Sequence, residues 1–171
     1  MRVLGVDPGL QCVGYGVVES NDQGISFPSK GRNKSFKLIE AGIIRTTARQ
    51  KLPLRLKKIY SGLVEVVQTY HPQVLALEEL FSHYKNPKTA IMMAHARGVI
   101  CLVAAQENIP VIGYAPKKIK KAITGAGAAQ KAQVQKVIKE MLGLKEIPQP
   151  NDVADALAIA ITHINISSRQ I

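Results

Sequence analysis

Two short apolar segments of this chain each end on a carboxylate. Val3, Leu4 and Val6 lead into Asp7 at a Pro8-Gly9 turn, and Val74, Leu75 and Leu77 lead into Glu78. Such runs read as strands, and two adjacent strands ending this way project both carboxylates from the same end of a sheet. A second pair, Asp152 and Asp155, lies three residues apart near the C-terminus. On a helix that spacing puts both on one face, and Ala156, Leu157, Ile159, Ala160, Ile161 and Ile164 make the helix largely buried. The chain has a net charge of +11 and only 12 Asp and Glu, so this grouping is informative. Gathered within about 5 Å, the four would repel by about 3 kcal/mol per pair at an effective dielectric of about 20. Divalent cations that prefer oxygen relieve such repulsion, magnesium first among them. The four carboxylates stand where a two-metal phosphodiesterase needs them.

With 171 residues the chain supports one domain, 1–171, with a real core, since a domain of this size buries about 70% of its unfolded surface. No run of about 18 apolar residues suggests a membrane-crossing helix, and the chain enters a strand at Val3 without an apolar leader. The expectation is a cytoplasmic protein with no membrane partner. Cys12 and Cys101 match no metal spacing and read as reduced core residues. The basic residues are segregated. From Lys30 to Lys58 there are ten Lys and Arg against Glu40 alone, and from Asn108 to Lys139 there are seven Lys and no carboxylate. Charge spread for solubility mixes signs, so two single-sign stretches point to a nucleic-acid footprint.

Residues 3–7, 13–19 and 37–46 read as an antiparallel meander, with Gly14 and Gly16 where close packing can matter. Between the second and third strands, Asn21 to Ser35 reads as a long hairpin tip carrying Lys30, Arg32 and Lys34. Leu52 to Tyr70 has helical periodicity, 74–78 is a strand, and Pro87 opens a helix to Gln106 that is apolar nearly all round. Such a helix needs cover on more than one side, and a dimer contact would supply the second. Ile109 to Gly113 is a short strand, Pro116 starts a basic helical turn, Thr124 to Ala128 is a Gly-rich loop, and Gln130 to Leu142 is amphipathic. Asn151 suits the N-cap of the closing helix. This order predicts an α/β fold, a mixed sheet with helices on both faces, in which three meander strands lead into crossovers.

The motifs GVDPG, GYGVV, LPLRLKKIY, LEELF, ARGV, KKIKKAITGAGAAQKAQVQ and DVADALAIAITH, in this order across nearly the whole chain, resemble the RuvC Holliday junction resolvases of the ribonuclease H-like superfamily. The resemblance implies a five-stranded mixed sheet, a three-strand meander plus two parallel strands. It implies a metal site of Asp7, Glu78, Asp152 and Asp155, with Glu78 rather than Glu79 as the catalytic glutamate. Some relatives have histidine where this chain has Asp152, and the basic stretch Asn21 to Ser35 is longer than the family's. The implied cofactor is magnesium, two ions per site, with manganese able to substitute. The implied substrate is a four-way DNA junction, nicked symmetrically by a homodimer in recombination and repair, with the RuvA and RuvB branch-migration machinery as partner.

Lys120 and Lys131 match basic positions used near the scissile phosphate, and Phe81 matches an aromatic that stacks on a base at the junction centre; core packing is the alternative for Phe81. Lys131 carries its own argument. A cation in the first turn of a helix opposes the macrodipole, and a bound phosphate would account for it, with Gly125 and Gly127 letting backbone N–H groups approach the strand. Lys117 and Lys118 join the candidate DNA contacts, with a plain exposed lysine as the alternative for each. His83, His95 and His163 lack ligand spacing and read as structural or surface residues. An actin-like or sugar-kinase fold would need further Gly-rich phosphate loops, and a catalytically silent junction binder would not need four carboxylates. The remaining competitor is another ribonuclease H-like nuclease, acting on RNA or an RNA-DNA hybrid.

Overall fold

The computed structural model describes residues 1–20, 36–79 and 87–168. Strands β1 (Arg2–Asp7), β2 (Cys12–Ser20) and β3 (Phe36–Arg45) precede helix α1 (Leu52–Tyr70), and β4 (Val74–Glu78) precedes α2 (Pro87–Gln106). Then follow β5 (Val111–Tyr114), α3 (Pro116–Thr124), α4 (Lys131–Leu142) and α5 (Asn151–Ser167). The sheet order is β3-β2-β1-β4-β5. The β1–β2 and β2–β3 pairs are antiparallel, and β1–β4 and β4–β5 are parallel. The expected mixed sheet is therefore present, with its last strand two residues later at its start and one later at its end.

Side-chain alternation along the strands sorts the core into two layers. Leu4, Val6, Leu75 and Leu77 pack with Ile59, Leu63 and Ile100 on the α1–α2 side. Val3 and Ala76 pack with Leu157, Ile161 and Ile138 on the α5 side. Leu157, Ile159, Ile161 and Ile164 are almost wholly buried, each contributing about 1.5–3 kcal/mol of transfer free energy. Helix α5 lies against β1 and β2 because the facing positions are glycines. A Cβ on Gly5 would stand 2.1 Å from Ala156 O, and one on Gly16 would stand 2.6 Å from Leu157 Cδ2.

Helix α2 departs from expectation in one way. By length and composition it is able to cross a membrane, because Lys88 and Arg97 interrupt its apolar run only lightly. In this fold it packs on α1, burying Ala96, Ile100, Val103 and Ala104. Among the described residues nothing covers its other side: Ile91 and Leu102 are 55% and 51% exposed, beside Ala94, Gly98 and Val99 in a shallow groove. The cysteines are free, yet only partly buried. Cys12 starts β2 at the mouth of a cleft, and Cys101 sits on a flank of α2, so neither is a core residue.

Candidate active site

The strand register brings the first two carboxylates together. Val6 pairs with Leu77 across the parallel β1–β4 ladder, which puts Asp7 and Glu78 next in line at neighbouring strand ends. Val3 and Ala76 face α5, so by the two-residue period Asp7 and Glu78 face α5 as well. Glu79 belongs to the opposite parity and lies against Gly113, its backbone N–H donating to Tyr114 O at 2.9 Å.

The α5 pair comes to Asp7 through Gly14, which pairs with Asp7 across the β1–β2 ladder. The carbonyl of Asp152 occupies the space a side chain would take at Gly14. Asp155 follows nearly one turn later, lining a cleft of about 220 Å³ with Glu78, Lys120 and Lys131.

Asp7 lies within electrostatic reach of the other three acids. Asp7 is pushed up to about 7, first by burial and then by the charges of Asp155, Glu78 and Asp152, against the opposing pull of Lys131. Glu78 is raised as well, by burial and then by Asp155, with Lys131 and Lys120 pulling the other way. Lys131 Nζ lies 2.6 Å from Asp155 Oδ2. Burial pulls its ammonium down, but this hydrogen bond and the charges of Asp155, Asp7 and Asp152 outweigh that and raise it. An all-oxygen donor set that pushes Asp7 toward protonation suits a hard divalent cation. Among the described residues no three His, Cys, Asp or Glu side chains close on a single point, so the carboxylates line a basin, with Asp155 turned to Lys131.

Lys131 therefore has a partner that its sequence position did not suggest. Its place at the start of α4, where a cation opposes the macrodipole, is offset by the Asp155 carboxylate within the same chain. Lys120 is half-buried in the same cleft, whereas Lys117 and Lys118 are exposed on α3. Lys118 Nζ lies 5.4 Å from the centre of the Tyr114 ring. Gly125 is the left-handed C-cap of α3, φ 80°, with its N–H donating to Lys121 O. Gly127 lies near Lys117 O, 3.4 Å from where its Cβ would be. Phe81 and His83, and the basic residues of 21–35, lie outside the described residues.

Asn151 is not the N-cap of α5. Pro150 holds that position in extended backbone and has no polar side chain to cap with. Asn151 Oδ1 accepts from Gln135 Nε2 at 2.9 Å, tying the acidic turn to α4. Sequence reasoning also missed Arg97, whose Nη1 donates to Glu78 O at 2.5 Å. It missed the link between β5 and α5 as well: the Tyr114 hydroxyl and His163 Nδ1 share a hydrogen bond of 2.8 Å, and His163 is buried. No short-range signal marks either contact, since the partners lie 19 and 49 residues apart.

A sheet of this order, with carboxylates at its central strand ends and on the helix crossing them, defines a ribonuclease H-like nuclease. Residues 3–163 match the family model described as Crossover junction endodeoxyribonuclease RuvC. The protein of that name from Caldicellulosiruptor saccharolyticus is 46% identical over 168 residues, 98% of this chain and 95% of its own length. The one from Desulforamulus reducens is 44% identical, covering 98% of this chain and 96% of its own. Thermus thermophilus RuvC superposes with a TM-score of 0.87 at 33% identity, over 99% of this chain and 97% of that one. The same relative, solved in complex with Holliday junction substrate, gives 0.88 at 31%, over 99% and 96%. This chain belongs to the RuvC family of crossover junction endodeoxyribonucleases, which are metal-dependent nucleases.

Proposed function

We propose that residues 1–171 form one nuclease domain that acts in the cytoplasm as a homodimer and resolves four-way DNA junctions by paired symmetric nicks. The observation that carries this reading is the convergence of Asp7, Glu78, Asp152 and Asp155 on one face of the sheet, in a chain of this family. The net charge of +11 and the lysines of the carboxylate cleft supply the attraction for phosphate. The uncovered side of α2, with Ile91 and Leu102 exposed, is the surface through which a second copy would dock, and a two-fold dimer matches a two-fold junction.

Two magnesium ions, or manganese in their place, would be held by the four carboxylates and would activate the attacking water and stabilise the leaving 3′-oxygen. Asp7, on the central strand and within reach of the charges of Glu78, Asp152 and Asp155, would contribute to holding both ions. Glu78 and the α5 pair would each help to hold one ion. Lys131 releases Asp155 and turns to the scissile phosphate when DNA enters, while Lys120 approaches the same phosphate from α3. Lys117, Lys118 and the Gly125–Gly127 loop extend the contact along the strand. Phe81 stacks on a base at the crossover, and the RuvA and RuvB complex delivers the junction. The products carry 5′-phosphate and 3′-hydroxyl ends.

The test is cleavage of a labelled four-way junction beside an RNA-DNA hybrid of equal length, each with Mg²⁺ and with EDTA. Paired nicks in the junction with Mg²⁺ alone are expected. Cleavage of the hybrid in preference to the junction would contradict the reading in favour of an RNA-directed nuclease.

A further inference from the structure

A second cleft, of about 440 Å³, opens beside the carboxylate basin. The two clefts share the acidic turn of α5, with Asp155 lining one and Asp152 the other. Arg55, Cys12, Lys88 and Met92 line the second.

Arg55 is the unusual group there. It is 9% exposed, and a charge so far out of water is costly unless it is paired. Among the described residues it makes no ion pair. Its Nε donates to Thr46 Oγ1 at 3.0 Å, and that hydroxyl in turn donates to Leu10 O at 2.5 Å. Thr46 N also donates to Gln11 O at 2.9 Å. This relay fastens the guanidinium to the turn that follows Asp7, so its position is set by the same backbone that sets the first carboxylate. Its two terminal amino groups have no protein acceptor among the described residues, yet neither is among the buried atoms left without a partner. They therefore face the open cleft.

Lys88, exposed in the first turn of α2, adds a second cation beside it. That turn has no acidic residue, and the helix N-terminus contributes its own partial positive charge. Asp152 is the carboxylate of the lining and stands beyond ion-pair distance of Arg55. A planar fork of N–H donors, pre-positioned and unpaired, suits bidentate contact with a phosphate.

We propose that Arg55, with Lys88, forms a phosphodiester-binding subsite that holds a phosphate neighbouring the scissile one. The proposal rests on the reading of the carboxylate basin as a DNA nuclease site. A strand crossing that basin extends into this cleft, where Arg55 fixes its register relative to Asp7. Arg55 is here a binding residue, and a bound phosphate supplies the counter-charge that its guanidinium lacks among the described residues.

Phosphate neutralisation tests this without any need for cleavage. Four-way junctions, each with one uncharged methylphosphonate at a position flanking the scissile phosphate, are titrated in EDTA with wild type, Arg55→Met and Lys88→Gln at several salt concentrations. For wild type, one neutralised position is expected to weaken binding roughly tenfold, about 1.4 kcal/mol. Arg55→Met should lose a comparable factor on the unmodified junction and be indifferent to neutralisation there. Its salt slope should fall by about 0.9 for the lost contact. Lys88→Gln should blunt the effect at the same position. An identical interference pattern for wild type and a cooperatively melting Arg55→Met would overturn the subsite. If Arg55→Met does not fold, an unchanged pattern for Lys88→Gln overturns it instead. Failure of the underlying reading appears separately, as equal affinity of wild type for junction and plain duplex.

Discussion

A Cβ atom on Gly14 would stand 2.1 Å from the carbonyl oxygen of Asp152. Asp7 pairs with Gly14 across the β1–β2 ladder, so the absence of a side chain at one strand position lets the acidic turn of α5 settle beside the first carboxylate. Backbone cannot yield as a flexible side chain does. Gly14→Ala is expected to lift the start of α5, cutting cleavage at least tenfold while junction affinity changes little. Gly5→Ala, set under Ala156 and Ala160, should act chiefly on stability, by about 1–3 kcal/mol for an overpacked contact. Thermal melting and single-turnover cleavage on both variants separate the two effects.

The Asp7 carboxyl, pushed up to about 7 by burial and by its acidic neighbours, makes the metal-free fold pH-dependent. The folded state holds this proton more tightly than the unfolded chain, whose ordinary value is 3.8. The stability it contributes is therefore fully present below pH 3.8, falls as pH rises toward about 7, and levels off above. Glu78, also raised, adds in the same direction. In EDTA, Asp7→Asn should gain melting temperature relative to wild type across that window. Added Mg²⁺ should restore wild type at neutral pH and leave the variant nearly unmoved. A constant difference between the two proteins at every pH would contradict this.

Lys131 lies 2.6 Å from Asp155, with the two side chains 53% and 33% exposed. On sequence grounds alone, removing a cation from the first turn of a helix should stabilise slightly. The ion pair reverses that sign. Lys131→Ala is expected to lower metal-free stability, by no more than about 1 kcal/mol for a pair so exposed, and to slow cleavage. A higher melting temperature would show that the dipole conflict outweighs the pair.

Arg97 Nη1 donates to the backbone carbonyl of Glu78 from α2, the helix whose far side is uncovered among the described residues. Arg97→Met should slow single-turnover cleavage more than it weakens junction binding, and Arg97→Lys should recover part of the rate. Equal losses in both measurements, without recovery, would make Arg97 a general packing residue.

The parts of this account legible in the sequence are those set by local periodicity. Short apolar runs at 3–7 and 74–78 placed Asp7 and Glu78 at matching strand ends, and the three-residue spacing placed Asp152 and Asp155 on one helix face. What escaped depends on long-range approach. Arg55 and Arg97 fall within the motifs LPLRLKKIY and ARGV, but nothing in those motifs points to their partners, because Thr46 and the carbonyl of Glu78 are brought in by the fold. His163 read as structural or surface, and the structure makes it structural through a buried bond to Tyr114. Asn151 misled because its side chain suits a cap, but Pro150 already holds the extended position before the helix.

The central claim is that the carboxylate basin does the chemistry while the basic surface binds the junction. The most direct measurement pairs single-turnover cleavage of a four-way junction in Mg²⁺ with equilibrium junction binding, for wild type and Asp7→Asn at fixed salt. Asp7→Asn is predicted to lose cleavage by several orders of magnitude while its junction affinity stays within a few-fold of wild type. A folded variant that still cleaves at a substantial fraction of the wild-type rate, or one that loses binding and cleavage together, would contradict the account.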